Sequence, residues 1–405
     1  MDVQGHCDER FAEVADEFGR NLAQRGELGA SVAITVEGET VVDLWGGHTD
    51  AERTTAWDKD TLAVAMSTTK GATSLCAHLL ATTGELDFDE PVATYWPEFA
   101  AAGKEQVLVR HVLTHQAGLP AVRDPLPAGA FYDWDQMVER LAAEAPFWEP
   151  GTRHGYHALT FGFLVGEIVR RISGRSIGTF FADEVARPLD LEMWIGLPES
   201  QHHRVATLLE PPLPGPGDSV PAFLIQAMTD PTSIPGLVMG NNGGYLVQGE
   251  WDSPAALSAE IPACGGVTNA RGLATLYRAI VHDRRIGRFL LEPEDLARMG
   301  AVQSAATEDA VIASPGRWTL GFMKAGWTSR DAQPPAIVSL SDRAFGHTGN
   351  GGSIGFCDPG CDVSFGYVMN QMSAALGLGE TGQSLVDAMY RALGYRREKY
   401  HLWVR

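Results

Sequence analysis

Strand-like alternation of apolar and polar residues occurs near both ends of this chain, and helical patterns fill the stretch between. At the front, Val32, Ile34 and Val36 alternate with small or polar neighbours, Glu37-Gly38-Glu39 turns the chain, and Val42 and Leu44 continue the alternation. A period of two marks a strand with one face buried, and the intervening turn makes the pair a hairpin. Strand patterns return at Arg317-Trp318-Thr319-Leu320-Gly321-Phe322 and from Val363 to Met369. Phe11, Val14, Phe18 and Leu22 recur at helical spacing, as do Leu385, Met389 and Leu393 at the far end. Runs of strands kept apart from runs of helices favour antiparallel pairing. The expected class is therefore α+β, with one antiparallel sheet built from both chain ends and flanked by helices. Residues 1–405 read as a single domain: an α/β part from about 8–66 and 301–405, and a mainly helical part from about 67–300. Pro211-Pro212-Leu213-Pro214-Gly215-Pro216-Gly217 reads as a surface loop.

Charge narrows the partners. Lys plus Arg number 31 and Asp plus Glu 51, a formal net charge of −20. Such a surface repels nucleic acid and anionic membranes and favours neutral or cationic small molecules. No apolar run approaches the roughly 20 residues needed to span a bilayer. The opening MDVQGHCDERFAEV lacks the basic start and apolar centre of a secretory signal, so a cytoplasmic location is expected. Five scattered cysteines do not form a disulfide framework, and Cys357 and Cys361 lack the second ligand pair of a zinc site. His111 and His115 stand at i, i+4, but Val112 occupies the place where zinc peptidases carry a glutamate, and His154 and His157 flank Tyr156. No metal site is assigned to either pair. The acidic run Glu85–Glu90 reads as a solvated turn.

Chemistry concentrates at Ala65-Met66-Ser67-Thr68-Thr69-Lys70, where a serine precedes a lysine by three positions. On a helix these two lie on one face, close enough to hydrogen-bond, and Leu75 and Leu79 carry the helical pattern onward. A serine hydroxyl needs a base to become a nucleophile, and a buried lysine, whose free pKa of about 10.4 falls on desolvation, is one. By itself the pair reads as an ordinary helix-start serine and a surface lysine; a catalytic meaning has to come from partners. Glu149-Pro150-Gly151-Thr152-Arg153-His154-Gly155-Tyr156 is a turn ending in a tyrosine, ahead of a helical pattern in Phe161, Leu164, Val165, Ile168 and Val169. Phe345-Gly346-His347-Thr348-Gly349-Asn350-Gly351-Gly352-Ser353 is a glycine-rich strand edge that a ligand can approach closely.

Taken in order, Ser67-Thr68-Thr69-Lys70, Tyr156-His157-Ala158 and His347-Thr348-Gly349 resemble the three signature motifs of the serine β-lactamase and penicillin-recognising superfamily. The closer resemblance is to its class C-like branch, the family VIII carboxylesterases. Leu113-Thr114-His115-Gln116-Ala117-Gly118-Leu119-Pro120 and Gly265-Gly266-Val267 agree as further landmarks, and the similarity runs over roughly residues 10 to 395. The resemblance implies a β-lactamase/transpeptidase-like fold. It implies Ser67 as the acylated nucleophile, and Lys70 and Tyr156 sharing general-base work, with Tyr156 partly ionised by a nearby cation. The backbone N–H groups of Ser67 and Asn350 would form the oxyanion hole, and no cofactor would be required.

Departures from the superfamily pattern bear on substrate. His347 stands where β-lactamases and DD-peptidases carry a lysine for the substrate carboxylate; Ala158 replaces an asparagine that contacts the substrate amide; Val122 replaces a class C glutamine. His347, Thr348, Gly349, Val122 and His157 are the expected substrate-binding positions. Each lost polar group favours small neutral esters with short acyl chains over carboxylated, amide-bearing substrates. The alternatives are a β-lactamase or D-amino-acid peptidase or amidase of the same fold, or a catalytically idle ligand-binding member. A homodimer is compatible with the sequence. Ser176 and Ser353 each sit in a G-x-S-x-G stretch, but neither lies between a strand and a helix as a nucleophile elbow requires.

Overall fold

A computed structural model describes residues 3–211, 220–325, 338–375, 377–398 and 402–405. Of the proline- and glycine-rich loop at 211–217, all but Pro211 lies outside the described residues. Six strands form the main sheet: β1 (Gln4–Cys7), β2 (Gly29–Val36), β3 (Glu39–Gly47), β4 (Phe345–Thr348), β5 (Ile354–Asp358) and β6 (Val363–Met369). Their order is β1-β3-β2-β6-β5-β4, antiparallel throughout. The seam between the chain ends is the β2–β6 pair, in register from Val36 opposite Val363 to Ala30 opposite Met369. The β2–β3 turn places Glu37 at φ 50° and Gly38 at φ 83°. Two successive positive φ values are what a tight hairpin needs for its twist to match the strands, and the glycine supplies one of them without strain.

Five helices set the surroundings of this sheet: α1 (Ala12–Gln24), α2 (Thr69–Thr82), α3 (Thr160–Ser173), α4 (Ala270–Arg278) and α5 (Gly379–Ala392). Helices α1 and α5 pack on one face, where Val14, Phe18, Leu22, Leu385 and Met389 share a core with Val32, Ile34, Phe365 and Tyr367. Helix α4 covers the other face. There Ala33 meets Ala270 and Ala274, and a Cβ added at Gly366 would come within 2.3 Å of the Ala270 carbonyl oxygen. Large residues on one face and small ones on the other explain how the same strands accept two helix layers at different depths.

The stretch Arg317–Phe322, expected as one strand, is not continuous. Strand structure covers only Gly316–Trp318, paired with Ser304–Ala306, and the chain then reverses: Thr319 N–H donates to Phe322 O at 2.9 Å across Leu320 and Gly321. Gly321 sits at φ +89°, which the turn requires and which the apolar pattern concealed.

Helix α2 runs through the centre of the molecule and is buried from Thr69 to Leu80. Leu75, Leu79 and Leu80 join the core of the helical half with Phe161, Leu164, Ile168 and Val169 of α3. The helix is buried on every side, and its polar residues Thr69, Thr73, Ser74 and His78 are hydrogen-bonded to backbone of neighbouring segments. Truncating one of its leucines to alanine is expected to cost about 2–5 kcal/mol. The chain enters α2 from a small sheet in which Ala63–Val64 pairs with Gly266–Thr268, and Ala65 N–H donates to Gly266 O at 2.8 Å. Among the described residues no helix is long and apolar enough to cross a membrane.

Candidate active site

Ser67 lies in a 3-10 turn, Met66–Thr68, that leads directly into α2. Met66 holds φ at +48° while 97% hidden from solvent, since its relative exposure is 3%. A buried non-glycine residue in the left-handed region persists only where its neighbours enforce it. Here Thr69 Oγ1 donates to Met66 O at 2.6 Å and accepts from Gly266 N–H at 2.9 Å. Ser353 Oγ donates to Ala65 O at 2.7 Å and bonds Thr68 Oγ1 at 3.0 Å. The turn is thus fastened to the residue preceding β5 and to the small sheet, and Ser67 is left half-buried. N–H groups in a first helical turn have no intrahelical acceptor, so the Ser67 N–H is available to an anion.

Lys70, one turn on, is wholly buried. Its Nζ lies 3.1 Å from Ser67 Oγ, 2.8 Å from Ala158 O and 2.9 Å from Ala263 O. Among the described residues no carboxylate offsets the charge, and burial pulls the ammonium down to about 7. In the neutral amine two N–H bonds go to the two carbonyls, which turns the lone pair toward Ser67 Oγ. The geometry is that of a base aimed at a hydroxyl.

Tyr156 completes the group. Lys70 Nζ sits 4.8 Å from its ring centroid, and its hydroxyl interacts with Ser67. The loop that carries it is held from two sides. Gly155 N–H donates to His115 O at 3.0 Å, and Tyr156 N–H donates to Asp309 Oδ1 at 3.0 Å. Trp318 stacks on the Tyr156 ring at 5.3 Å and 11°, and His347 follows at 6.1 Å. Burial raises the Tyr156 hydroxyl above its usual value, against the lowering effect of the Ser67 hydrogen bond. The expectation of a partly ionised tyrosine needed a neighbouring cation. Lys70 is that cation, 4.8 Å from the ring centroid, but burial outweighs it and favours the phenol, and burial also pushes His115, His157 and His347 toward the neutral form.

His347, third residue of β4, is 3% exposed, and its Nδ1 bonds Thr348 O at 2.7 Å. Burial first, and the nearby Lys70 charge second, push it down to about 3. Thr348 is buried beside it, and Gly349 N–H donates to Ser353 O at 2.7 Å in the turn that follows. A Cβ at Gly349 would approach Ala65 O to 2.5 Å, so only glycine lets this strand end lie against the nucleophile turn. Asn350 occupies the exposed corner of that turn.

Two expected substrate contacts are placed differently. His157 is fully buried; its Nε2 accepts from Leu119 N–H at 3.0 Å and its Nδ1 bonds Gly155 O at 2.6 Å. Both nitrogens are committed to backbone, so His157 fixes the Tyr156 loop and has none to offer a ligand. Val122, 2% exposed, packs into the helical core, and only its carbonyl is engaged, by Asn241 Nδ2 at 2.8 Å. The two alternative serines have structural tasks. Ser176 caps a short helix, donating to Glu260 Oε1 at 2.7 Å, and Ser353 is the buried clamp described above. His115, at φ +60°, accepts from His157 N–H at 3.2 Å, and among the described residues no group of three His, Cys, Asp or Glu side chains is arranged to hold a metal ion.

Trp318, Asp309 and Ala263 were missed from the sequence as parts of this site. Trp318 was visible only as a strand residue, and Asp309 stands in a stretch without periodicity. Ala263 acts through its carbonyl, which no side-chain pattern reveals.

Comparison with known proteins bears on the same constellation. The family model described as Beta-lactamase matches residues 13–385. The chain is 34% identical over 387 residues to the Esterase/beta-lactamase LipL of Mycobacterium tuberculosis, covering 92% of this chain and 84% of that protein. Among solved structures, a family VIII carboxylesterase is similar at 36% identity and a TM-score of 0.82, covering 97% of this chain and all of the other. A penicillin-binding protein homologue from Caulobacter crescentus is similar at 37% identity and a TM-score of 0.83, with the same coverage.

Proposed function

The chain belongs to the beta-lactamase family, and on that premise we propose that it hydrolyses small neutral carboxylic esters of short acyl chain through an acyl-enzyme on Ser67. It is a serine carboxylesterase of the beta-lactamase-like family. Neutral Lys70 takes the proton as Ser67 Oγ attacks the ester carbonyl. The N–H groups of Ser67 and Asn350 receive the oxyanion, a contribution of about 2.7–4 kcal/mol per donor in acyl transfer. The Tyr156 phenol passes a proton to the departing alkoxide and is recharged from the Lys70 ammonium. Water, activated by the same pair, then releases the acid. Balance is kept without a cofactor: the proton lost by Ser67 leaves with the alcohol, and the water supplies its replacement.

One observation carries this reading: a buried, uncompensated Lys70 amine 3.1 Å from Ser67 Oγ, with two backbone carbonyls occupying its other bonds. Preference for neutral esters is supported by His347, whose buried ring supplies no cation for a substrate carboxylate. The test is a fluorophosphonate probe with peptide mapping, joined to a panel of p-nitrophenyl esters, nitrocefin and D-alanyl peptides. Labelling at Ser67, abolished in Ser67→Ala, with short esters turned over fastest, is the expected result. Absence of labelling would leave an idle binding protein. Turnover of nitrocefin or D-alanyl peptides matching that of esters would overturn the substrate assignment.

A further inference from the structure

We propose that an apolar wall beside Tyr156, built by the helix Ile234–Gly240, Phe147 and the 309–312 turn, receives the alcohol part of the ester, so that the substrates are short-acyl esters of hydrocarbon alcohols. The proposal rests on the serine-hydrolase reading above and names the half of the substrate on which that reading is silent.

The wall stands on a small apolar cluster that is separate from the two large cores. Trp148, Val238 and Val311 are among its buried members. Phe147, Ala158, Ile234, Leu237, Ala310 and Ile312 pack on it while remaining half-exposed, and so does Tyr156. The backbone just ahead of Tyr156 touches the base of the wall. A Cβ on Gly155 would lie 2.7 Å from the Trp148 ring and 3.0 Å from the side chains of Ala310 and Val311. Ala310 N–H donates to His154 O at 3.1 Å, and Asp309 Oδ1 accepts from Tyr156 N–H at 3.0 Å. Phenol and wall are therefore held as one surface.

That surface is fixed and apolar. Asn241, just past the helix, donates through Nδ2 to Val122 O at 2.8 Å and to Asp124 O at 2.9 Å, and it accepts from Leu126 N–H at 2.8 Å. Ser233 Oγ caps the other end, accepting from Gly236 N–H at 3.1 Å. Charges at the border are committed. Asp309 is 1% exposed, and its Oδ1 also takes the N–H groups of Val311 and Ile312. Arg123 and Arg153 lie over the rings of Phe147 and Trp148, at 3.6 and 5.1 Å, and Arg123 is paired with Glu144. Half-exposed apolar side chains gathered in one patch gain when a hydrocarbon displaces the water on them.

The reaction decides which part of the ester lies there. Ser67 Oγ takes the acyl carbon, whereas the Tyr156 hydroxyl gives its proton to the alcohol oxygen. The alcohol's carbon chain therefore starts at the phenol and runs onto the surface of which the phenol is part.

The experiment measures kcat/KM for two series, alkyl acetates from ethyl to octyl and methyl alkanoates of matching length. All acetates leave the same acetyl-enzyme, so differences among them arise before the alcohol departs. A chain lying against one wall should gain about twofold per methylene, half the free energy of full burial, and about tenfold between ethyl and hexyl acetate. The methyl alkanoates should show no such rise. Leu237→Asn and Ile312→Asn should each lower kcat/KM for hexyl acetate several-fold more than for ethyl acetate. Leu290→Asn, at an exposed leucine outside the cluster, should keep the wild-type slope. A flat acetate series, or an equal rise in the alkanoate series, would overturn the assignment in the wild type alone, whatever the variants do to folding. Slopes unchanged in both wall variants would overturn the residues named. Fluorophosphonate labelling of Ser67 in parallel keeps these outcomes apart from failure of the hydrolase reading, which would show as no labelling at all.

Discussion

Thr68 and Ser353, separated by 285 positions in the chain, share a buried hydrogen bond of 3.0 Å. Through it the turn that bears Ser67 is fastened to the residue preceding β5, beside the end of β4. Ser353 also donates to Ala65 O at 2.7 Å, so one hydroxyl spans both sides of the site. Ser353→Ala should therefore cost about 1–3 kcal/mol of stability, because a buried carbonyl and a buried hydroxyl lose their partner. Thermal unfolding of the variant measures it. Most ester hydrolysis and all Ser67 labelling should survive, because Ser353 touches no reacting atom. Loss of labelling would mean that Ser353 is the nucleophile.

The Lys70 amine predicts the acid limb of the pH profile. Burial brings it to about 7, so the fraction of neutral base, and with it kcat/KM, should rise through that pH and level off above it. Stability moves in the same direction. The unfolded chain binds the lysine proton up to about 10.4 while the folded chain releases it near 7, so the cost of burying the charge is full below 7 and is relieved as pH rises toward 10.4. Lys70→Ala should reduce kcat/KM about 10²- to 10⁴-fold and remove the limb near 7 from whatever activity remains.

How far the site was legible depended on what each residue contributes. In the proposed mechanism Ser67, Lys70 and Tyr156 act through side chains, and side chains at motif positions can be read in a sequence. The antiparallel sheet was legible because Val32, Ile34 and Val363–Met369 alternate with a period of two. Ala158 and Ala263 act through carbonyls, and a carbonyl has no sequence signature. His157 and Val122 stand at motif positions, yet local packing turns one onto the backbone and the other into the core. The 317–322 segment misled for a related reason: its apolar content is that of a strand, and only the φ of Gly321 reveals the reversal.

Glu27 offers a test of the sheet far from the cleft. Its carboxyl is 3% exposed, hydrogen-bonded by the Tyr367 hydroxyl of β6, and burial raises it to about 8. An acid whose folded value exceeds its unfolded one, near 4.5, contributes stability that is fully present below 4.5 and is lost as pH rises through 8. Glu27→Gln keeps a neutral group of the same shape and removes that dependence. The Tm of the variant relative to wild type should therefore climb steadily between pH 5 and 8.5. A difference that stays flat over this range would show that Glu27 is not held protonated.

His347 predicts a preference that does not change with pH. A lysine at this position would attract a substrate carboxylate, but His347 is buried, hydrogen-bonded to Thr348 O and pushed down to about 3. It carries no charge from pH 5 to 8, and the chain as a whole has a formal net charge of −20. A monoester that bears a free carboxylate should accordingly be a poorer substrate than its methylated analogue. The ratio of their kcat/KM values should stay constant over that range, because no group contacting the carboxylate titrates in it. A ratio that shifts toward the carboxylated substrate as pH falls from 8 to 5 would show a histidine gaining charge. His347→Lys should narrow the gap by supplying the missing cation, about tenfold if the new ammonium remains charged and contributes one hydrogen bond of about 1.5 kcal/mol. A burial cost large enough to neutralise that lysine would leave the ratio where it was, so the variant measures whether this pocket can hold a cation besides Lys70.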